Sequence, residues 1–350
     1  GSEMCIRDSV RDAWKIPELR KKILFTIFAL LIFRLGAAIP VPYINSQELE
    51  VYLAAQSGTI LGLMNAMSGS AFSMATLFAL SIQPYINSSI IIQLLTVAIP
   101  ALERLAKEGG EEGRKKIASI TRYTTVAIGL LQGFGYYTLI KSYGLVESGS
   151  VNGIWAGIVI VLSFTAGSAF LMWLGEQIND KGVGNGISLI IFSGIVARIP
   201  SGIRSLSTSL SDGAISVITL VILVVLAVLV IAGVVLIQEG QRRIPVQYAK
   251  RVVGRKMYGG QSTHIPIKVN QSGVIPIIFS LSLLSFPLTI TYFFPDTGFT
   301  DWVTKWLSPS GNPGVWVYGV LNVILIIAFT YFYTGAVSYT HLTLPTILRV

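Results

Sequence analysis

Long apolar stretches alternate with short polar ones along most of the 350 residues. Apolar windows of about 17–25 residues match the length that crosses a hydrocarbon core of about 30 Å. They predict eight membrane-spanning helices, numbered here as spans 1 to 8, at residues 22–38, 76–99, 120–141, 154–175, 183–199, 214–237, 274–293 and 315–337. Span 5 is the least regular, because it is short, rich in glycine and interrupted by Arg198 and Pro200. The predicted fold class is therefore all-α, a polytopic bundle of transmembrane helices.

The composition favours a membrane protein and excludes several kinds of chemistry. With 52% hydrophobic residues and a mean hydropathy of +0.68, the chain holds more apolar side chains than one soluble core of this size buries. Its single cysteine, Cys5, excludes a disulfide framework. Neither His264 nor His341 has a credible metal partner, and no catalytic or phosphate-binding motif is present. The sequence therefore predicts no enzyme activity, no catalytic or metal-binding residue and no cofactor.

Basic residues are grouped in alternate loops, which predicts the orientation of the chain. Lys and Arg are concentrated before span 1, between spans 2 and 3, and between spans 6 and 7, whereas residues 40–74 contain none. Because cytosolic loops carry the excess of Lys and Arg, the N-terminus is expected in the cytosol. The largest group lies in residues 238–270, which we call the basic loop. Its charge, in a chain with only 12% charged residues, also indicates a docking face for a large acidic partner.

Residues 58–73 fit neither a membrane span nor an exposed loop. The segment is too short and too rich in Gly, Ser and Met for a span, yet too apolar for a loop in water. One interpretation is a re-entrant helix, which requires that its backbone be buried in protein or line an aqueous cavity. The other is an amphipathic helix on the membrane surface or an extension of span 2. The pattern alone leaves both open.

The interiors of the spans hold polar groups but few charges. Polar residues in the middle of span 2 must face other helices or water, because lipid cannot satisfy them. Ile82 and Ile86 share a helical face, as do Ile187 and Ile191, but this spacing is also typical of ordinary packing or lipid contact. Arg34 lies near the outer end of span 1, where a side chain that reaches to the interface explains it. The scarcity of ionisable groups near the midplane argues against a secondary transporter.

Several motifs occur in an order that resembles one protein family. They are IPVPYIN at residues 39–45, SIQPYINSSIIIQLL at 81–95, KEGGEEGRKKIASITRY at 107–123, GEQINDKGVGNGISLIIFSGIV at 175–196, QRRIPVQYAKRVVGRKMYGGQSTHIPIKVNQSGVIPIIF at 241–279 and FTYFYT at 329–334. From about residue 10 to residue 337 the chain thereby resembles the SecY family, the channel subunits of the general protein-secretion translocase. The resemblance implies an hourglass pore made of two pseudo-symmetric halves, closed by a ring of isoleucines and by a short plug helix at residues 58–73.

The resemblance also implies roles for individual residues. The pore ring is matched by Ile82, Ile86, Ile187, Ile191 and Ile278. The lateral gate, a seam between spans 2, 3, 7 and 8, is matched by Asn87, Ser88, Gln132, Ser282, Ser285 and Phe286. The residues that correspond to those with which the family docks the ribosome or the SecA motor are Arg242, Arg243, Lys250, Arg251, Arg255 and Lys256.

The implied function is that of the central pore-forming subunit of the bacterial secretory (Sec) translocase. It would pass unfolded preproteins across the inner membrane and release membrane segments through the lateral gate. The implied partners are the SecE and SecG subunits, the SecA motor, the ribosome, signal peptides, unfolded preproteins and membrane lipid, together with SecDF and YidC. A polytopic secondary transporter for a small solute is the alternative, and it would show a cluster of ionisable residues near the midplane.

The expected organisation follows the family as well. Residues 10–199 would form the N-terminal half with spans 1–5 and the plug, and residues 200–337 a partial C-terminal half with spans 6–8 and the basic loop. Residues 1–9 and 338–350 resemble non-native sequence. Because family members have ten spans, we expect the chain to lack spans 9 and 10 and to form no sealed channel by itself.

Overall fold

The computed structural model describes residues 15–55, 65, 68–107, 109–146, 153–246, 251–253, 256–258, 263–270, 272–291, 297–307 and 313–338. The helices in these ranges are α1 (Pro17–Gly36), α2 (Ser46–Ala55), α3 (Gln83–Ala98), α4 (Pro100–Lys107), α5 (Gly110–Ser142), α6 (Gly153–Lys181), α7 (Gly186–Val196), α8 (Ile199–Ser211), α9 (Val217–Glu239), α10 (Ile275–Thr291), α11 (Gly298–Leu307) and α12 (Gly314–Ser338). The strands are β1 (Gln241–Val246), β2 (Arg251–Val253), β3 (Lys256–Tyr258) and β4 (Thr263–Lys268).

Every predicted span overlaps a helix, and the helical fold class is confirmed. By length and composition, the described helices that can cross a membrane are α6, α7 continued into α8, α9 and α12. Helix α10 is apolar but shorter. Helices α1, α3 and α5 do not meet the same criteria of length and composition, so their crossing of the membrane stays a prediction. Helix α3 has only 16 residues, and the other two carry charged residues near their ends. The chain is a helical membrane protein.

The chain divides into two compact units, one of residues 1–202 with 281–321 and one of residues 203–280 with 322–350. The predicted halves were divided at residue 199, close to the first of these boundaries, whereas residues 281–321 group with the first unit. The segment 338–350 was expected to be non-native, and its first residue, Ser338, is the last residue of α12. Residues 1–9 and 339–350 lie outside the described residues, as do 58–64 and 66–67 of the expected plug.

In the first unit, α5 packs against α3 and α6, and α1 packs against α6 and α7. Aromatic side chains fill the centre of this unit. The Phe72 and Tyr136 rings stack with their centroids 4.5 Å apart, and Tyr136 also contacts Phe164 at 5.1 Å. The Tyr136 hydroxyl donates a hydrogen bond to the Phe72 carbonyl oxygen over 2.5 Å. The residues just before α3 are therefore fastened to α5 and α6.

Span 2 begins later than the hydrophobic pattern predicts, and this part of the prediction is wrong. Residues 76–82 form turns, and the helix starts only at Gln83. Ala75 and Ser81 have φ angles of 45° and 51°, in a region that L-residues seldom adopt. Pro84 lies in the first helical turn, where a residue without an N–H leaves no hydrogen bond unmade. Pro84 therefore suits the start of a helix, whereas the prediction had placed it in the interior.

The basic loop of the second unit forms antiparallel strands. β1 pairs with β4 from Gln241 opposite Lys268 to Val246 opposite Thr263, and β2 pairs with β3. The Val269 N–H donates to the Gly240 carbonyl oxygen over 2.9 Å. This bond continues the pairing of β1 with β4 to the end of α9. Within the described residues, the named strands all lie in this loop.

Candidate channel constriction and gate

An apolar cleft in the first unit forms where the turn before α3 meets α7. It is lined by Ala79, Leu80, Ser81, Ile82, Gln83, Ile86 and Ile191. The cleft holds about 310 Å³, including space open to solvent. Five of the seven lining side chains are aliphatic, so the walls offer an ion or a polar solute few partners.

Some of the isoleucines expected in the pore ring meet in this cleft. Ile82 is the N-cap residue of α3, and its carbonyl oxygen accepts a hydrogen bond from the Ile86 N–H over 3.0 Å, so the two lie one turn apart. Ile191 reaches the same cleft from α7. Ile187, one turn earlier, lies against α6 instead, where its Cγ1 is 3.3 Å from the position that a Cβ on Gly175 would take. The cleft therefore contains three of the four expected ring residues of this unit.

The expected gate residues of α3 and α5 are buried polar groups. The Ser88 hydroxyl donates to the Thr121 carbonyl oxygen over 2.8 Å and so joins the two helices. Asn87 Oδ1 and Gln132 Oε1 are buried and have no hydrogen-bond partner within the described part of the chain. A buried polar atom without a partner costs about 1–3 kcal/mol. These two side chains therefore weaken the packing of the helices that carry them.

The remaining expected ring and gate residues lie on α10. Ile278, Ser282 and Ser285 follow one another at intervals of four and three residues, which puts them on one helical face. Ser282 is buried, and its carbonyl oxygen accepts a hydrogen bond from the Ser285 hydroxyl over 2.9 Å. The neighbouring Phe286 side chain is 52% exposed.

Sequence reasoning missed a polar tie between α10 and α12. The Ser280 hydroxyl approaches the Asn322 Oδ1 atom to 2.6 Å and the Asn322 carbonyl oxygen to 3.2 Å. The Phe279 and Phe329 rings meet edge to face beside it, with centroids 5.5 Å apart. Asn322, a polar residue inside an apolar span, was the available signal, because such residues usually bind a neighbouring helix.

Arg34 lies beside a tight turn at Gly69. Its Nη1 atom is buried and has no hydrogen-bond partner among the described residues. The expectation that its side chain reaches to the membrane interface stays a prediction. Gly69 has a φ of 66°, and a Cβ on Gly69 would lie 2.9 Å from Arg34 Nη1 and 2.8 Å from the Gly194 carbonyl oxygen. The turn at Gly69 is therefore held between α1 and α7, a contact that only a glycine permits.

Four of the six expected docking residues lie on the strands of the basic loop. Arg242 and Arg243 belong to β1, Arg251 to β2 and Lys256 to β3. Lys250 and Arg255 lie outside the described residues. The Arg242 side chain is exposed, which makes it available to a partner.

Comparison with known proteins decides the family. The sequence model of SecY matches residues 76–342. The chain belongs to the SecY family. Protein translocase subunit SecY of Streptomyces coelicolor is 44% identical over 92% of this chain and 75% of its own length. SecY of Escherichia coli strain K12 is 44% identical over 92% of this chain and 72% of its own length. The chain thus spans about three quarters of the length of these SecY relatives.

Solved structures with the SecY-type fold agree with this assignment. One, titled "The structure of a protein conducting channel", has a TM-score of 0.62 at 18% identity and covers 91% of this chain and 75% of its own. Another, titled "Sec61 in the Canine ribosome-channel complex from the endoplasmic reticulum", has a TM-score of 0.55 at 18% identity and covers 83% of this chain and 65% of its own. At such identities the likeness establishes the fold alone. None of these SecY and channel matches supports a small-solute transporter.

Proposed function

We propose that the chain is the central pore-forming subunit of a bacterial Sec translocase, which passes unfolded preproteins across the inner membrane. The meeting of Ile82, Ile86 and Ile191 in one apolar cleft carries this proposal. Aliphatic walls exclude water and ions when nothing occupies them, and they deform around any sequence because they require no particular hydrogen bond. We assign Ile187 and Ile278 to the same ring.

The lateral gate is proposed at α3, α5, α10 and α12. A seam that must open for a hydrophobic segment needs contacts that are individually weak. The Ser88–Thr121 hydrogen bond joins α3 to α5, so it holds one side of this seam together without crossing it. Hydrogen bonds between helices in a membrane contribute about 0.6 kcal/mol on average, so polar contacts across the seam would be equally easy to break. The buried oxygens of Asn87 and Gln132, which have no hydrogen-bond partner in the described part of the chain, lower the stability of the packing around them. Ser282, Ser285 and Phe286 would form the opposing side.

We assign docking of the ribosome or of the SecA motor to the basic loop, through Arg242, Arg243, Lys250, Arg251, Arg255 and Lys256. Because cytosolic loops are rich in Lys and Arg, this loop and the N-terminus would both face the cytosol. SecE and SecG would complete the channel, with SecDF and YidC as accessory partners. The chain would catalyse no reaction, and a docked partner would drive the polypeptide through it.

A pair of adjacent residues on α7 gives a sharp test of the pore. Ile191 lines the cleft, whereas the next residue, Phe192, is 60% exposed. A photoreactive amino acid is placed at one position or the other in the complete translocase in membrane vesicles, and a ribosome-stalled secretory chain is then supplied. We expect adducts to the stalled chain at position 191 and adducts to lipid at position 192.

The absence of adducts to the stalled chain at Ile191, and at Ile86 in a second variant, would refute the pore assignment. Equal labelling of the chain from positions 191 and 192 would also contradict it, because the two side chains leave α7 in different directions. A small-solute transporter would yield polypeptide adducts at neither position.

A further inference from the structure

Helix α11 is held close to the membrane boundary by its two neighbours. It lies between the end of α10 at Thr291 and the start of α12 at Gly314, and α12 is long and apolar enough to cross a membrane. Residues 292–297 and 308–313 connect it to these helices, and a chain of six residues spans at most about 20 Å. Both tethers therefore keep α11 near the level at which the two apolar helices leave the bilayer.

One side of α11 is already packed against protein. Val303 is fully buried, and it contacts Leu288 of α10 together with Leu307 and Tyr318. At the start of the helix, the Thr300 N–H donates to the Thr297 hydroxyl oxygen over 3.4 Å in the manner of an N-cap. The rotation of α11 about its axis is thus set by Val303, and this rotation decides which residues face outward.

An aromatic stripe runs along the helix beside the packed side. Phe299, Trp302 and Trp306 lie at positions i, i+3 and i+7, so they fall within about 60° of one another around the axis. Their side chains are 46%, 56% and 37% exposed. Asp301, Thr304 and Lys305 occupy the opposite side. The exposed surface of α11 is therefore amphipathic, with large aromatic rings on its apolar face.

The kind of aromatic residue points to one partner. Tryptophan joins an apolar ring system to an N–H donor, and it is enriched where a membrane meets water. Lys305 adds a long side chain whose Nζ atom lies 6.0 Å from the centroid of the Trp306 ring, and a lysine that keeps its charge in water beside an aromatic ring is typical of a membrane interface. A soluble protein partner would explain the apolar stripe, but it would not explain the tethers at both ends.

Other exposed apolar side chains lie at the starts of long apolar helices, and those of α12 are close to the stripe in sequence. Helix α12 begins with Val315 and Trp316, which are 46% and 75% exposed, only a few residues after α11 ends. Helix α6, the fourth predicted span, begins with Trp155, which is 56% exposed. Because even-numbered spans cross the membrane in the same direction, these tryptophans mark the same boundary as α11.

We propose that α11 lies flat in the lipid interface, with Phe299, Trp302 and Trp306 inserted at the level of the headgroups. The helix anchors the adjoining ends of α10 and α12 at a fixed depth. This assignment goes beyond the proposed translocase function, and it depends only on the membrane location of the two flanking helices.

Spin labels on the two sides of α11 test the orientation. Single cysteines replace Trp302 or Thr304 in a Cys5→Ser background, in the assembled protein reconstituted into vesicles of phosphatidylethanolamine and phosphatidylglycerol. A nitroxide at position 302 is expected to collide mainly with oxygen, which concentrates in lipid. A nitroxide at position 304 is expected to collide mainly with a water-soluble nickel chelate. Similar nickel accessibility at both positions would overturn the proposal, and so would protection of position 302 from both reagents, which would mean that protein covers the stripe.

A second measurement uses no label. Brominated phospholipids quench tryptophan emission on contact, so the emission lost in brominated vesicles is measured for the parent protein and for a Trp302→Phe, Trp306→Phe variant. We expect the lost intensity to decrease in the variant by the contribution of two tryptophans, while both proteins keep the same melting temperature. An unchanged loss of intensity would show that these rings do not touch lipid.

Discussion

The Ser88 hydroxyl donates a hydrogen bond to the Thr121 carbonyl oxygen over 2.8 Å, and this buried contact joins α3 to α5. Thr121 is also the residue whose carbonyl oxygen accepts from the Thr125 hydroxyl over 2.7 Å. Two side chains from two helices thus meet at one backbone oxygen. Removing Ser88 leaves this oxygen paired, so the change isolates the contact between the helices.

We therefore predict that Ser88→Ala destabilises the protein by about 0.6 kcal/mol, the usual size of such a bond within a membrane. The free energy of unfolding in mixed detergent micelles measures it. Thr124→Ala is the matched control, because the Thr124 hydroxyl donates to the Ile120 carbonyl oxygen of its own helix over 2.9 Å. If the control loses as much stability as Ser88→Ala, the hydrogen bond between α3 and α5 contributes no more to the free energy of unfolding than a bond within one helix.

A second prediction concerns the ion pair between Arg122 of α5 and Glu176 of α6. Arg122 Nε lies 2.9 Å from Glu176 Oε1, and the two side chains are 51% and 24% exposed. Because the pair is partly screened by solvent, a double-mutant cycle with Arg122→Gln and Glu176→Gln should give a coupling energy below about 1 kcal/mol. It should exceed the coupling of Lys116 with Glu112, an exposed pair within α5. Equal couplings would contradict a role for this pair in joining the helices.

The extent to which the sequence predicts this fold differs between elements. Spans such as α9 follow directly from composition, because an apolar run of about 20 residues has few alternatives to crossing a membrane. The start of α3 does not, because hydropathy continues through residues 76–82 while the backbone turns there, with positive φ angles at Ala75 and Ser81. The turn also has partners far along the chain, such as the Val41 N–H, which donates to the Ala75 carbonyl oxygen over 3.0 Å. The pairing of β1 with β4 was missed because each strand has only six residues and contains a proline, Pro245 or Pro266, and proline normally argues against a strand.

The candidate site shows the same division. The spacing of Ile82 and Ile86 on one face is local and was predicted from sequence. Their meeting with Ile191 depends on how α7 packs near α3, which no local pattern contains. Resemblance to the SecY family supplied that link, and it grouped Ile187 with them, although the Ile187 side chain lies against α6.

The third prediction tests the contact that holds the turn before α3. A Cβ on Gly167 of α6 would overlap the Leu77 carbonyl oxygen, so Gly167→Ala must displace the backbone of the turn. We expect a loss of about 1–3 kcal/mol in the free energy of unfolding, the usual cost of forcing atoms into packed protein. Gly153→Ala in the same helix meets open space and should be neutral or slightly stabilising. A stable Gly167→Ala variant would mean that the turn is not packed on α6.

The last prediction concerns Arg242, and it rests on the proposed docking function. If the exposed Arg242 side chain contacts ribosomal RNA, Arg242→Ala should weaken ribosome binding and reduce the slope of log K against log salt by about 1, since each phosphate contact releases about one counterion. Binding of ribosomes to vesicles is measured from about 50 to 200 mM salt, the range over which such contacts weaken strongly. Lys141→Ala is the control, because Lys141 is also exposed but lies at the far end of α5, on the side expected to face away from the cytosol. An unchanged slope in Arg242→Ala would remove this residue from the docking face, whereas a similar decrease in Lys141→Ala would show that net charge alone governs binding.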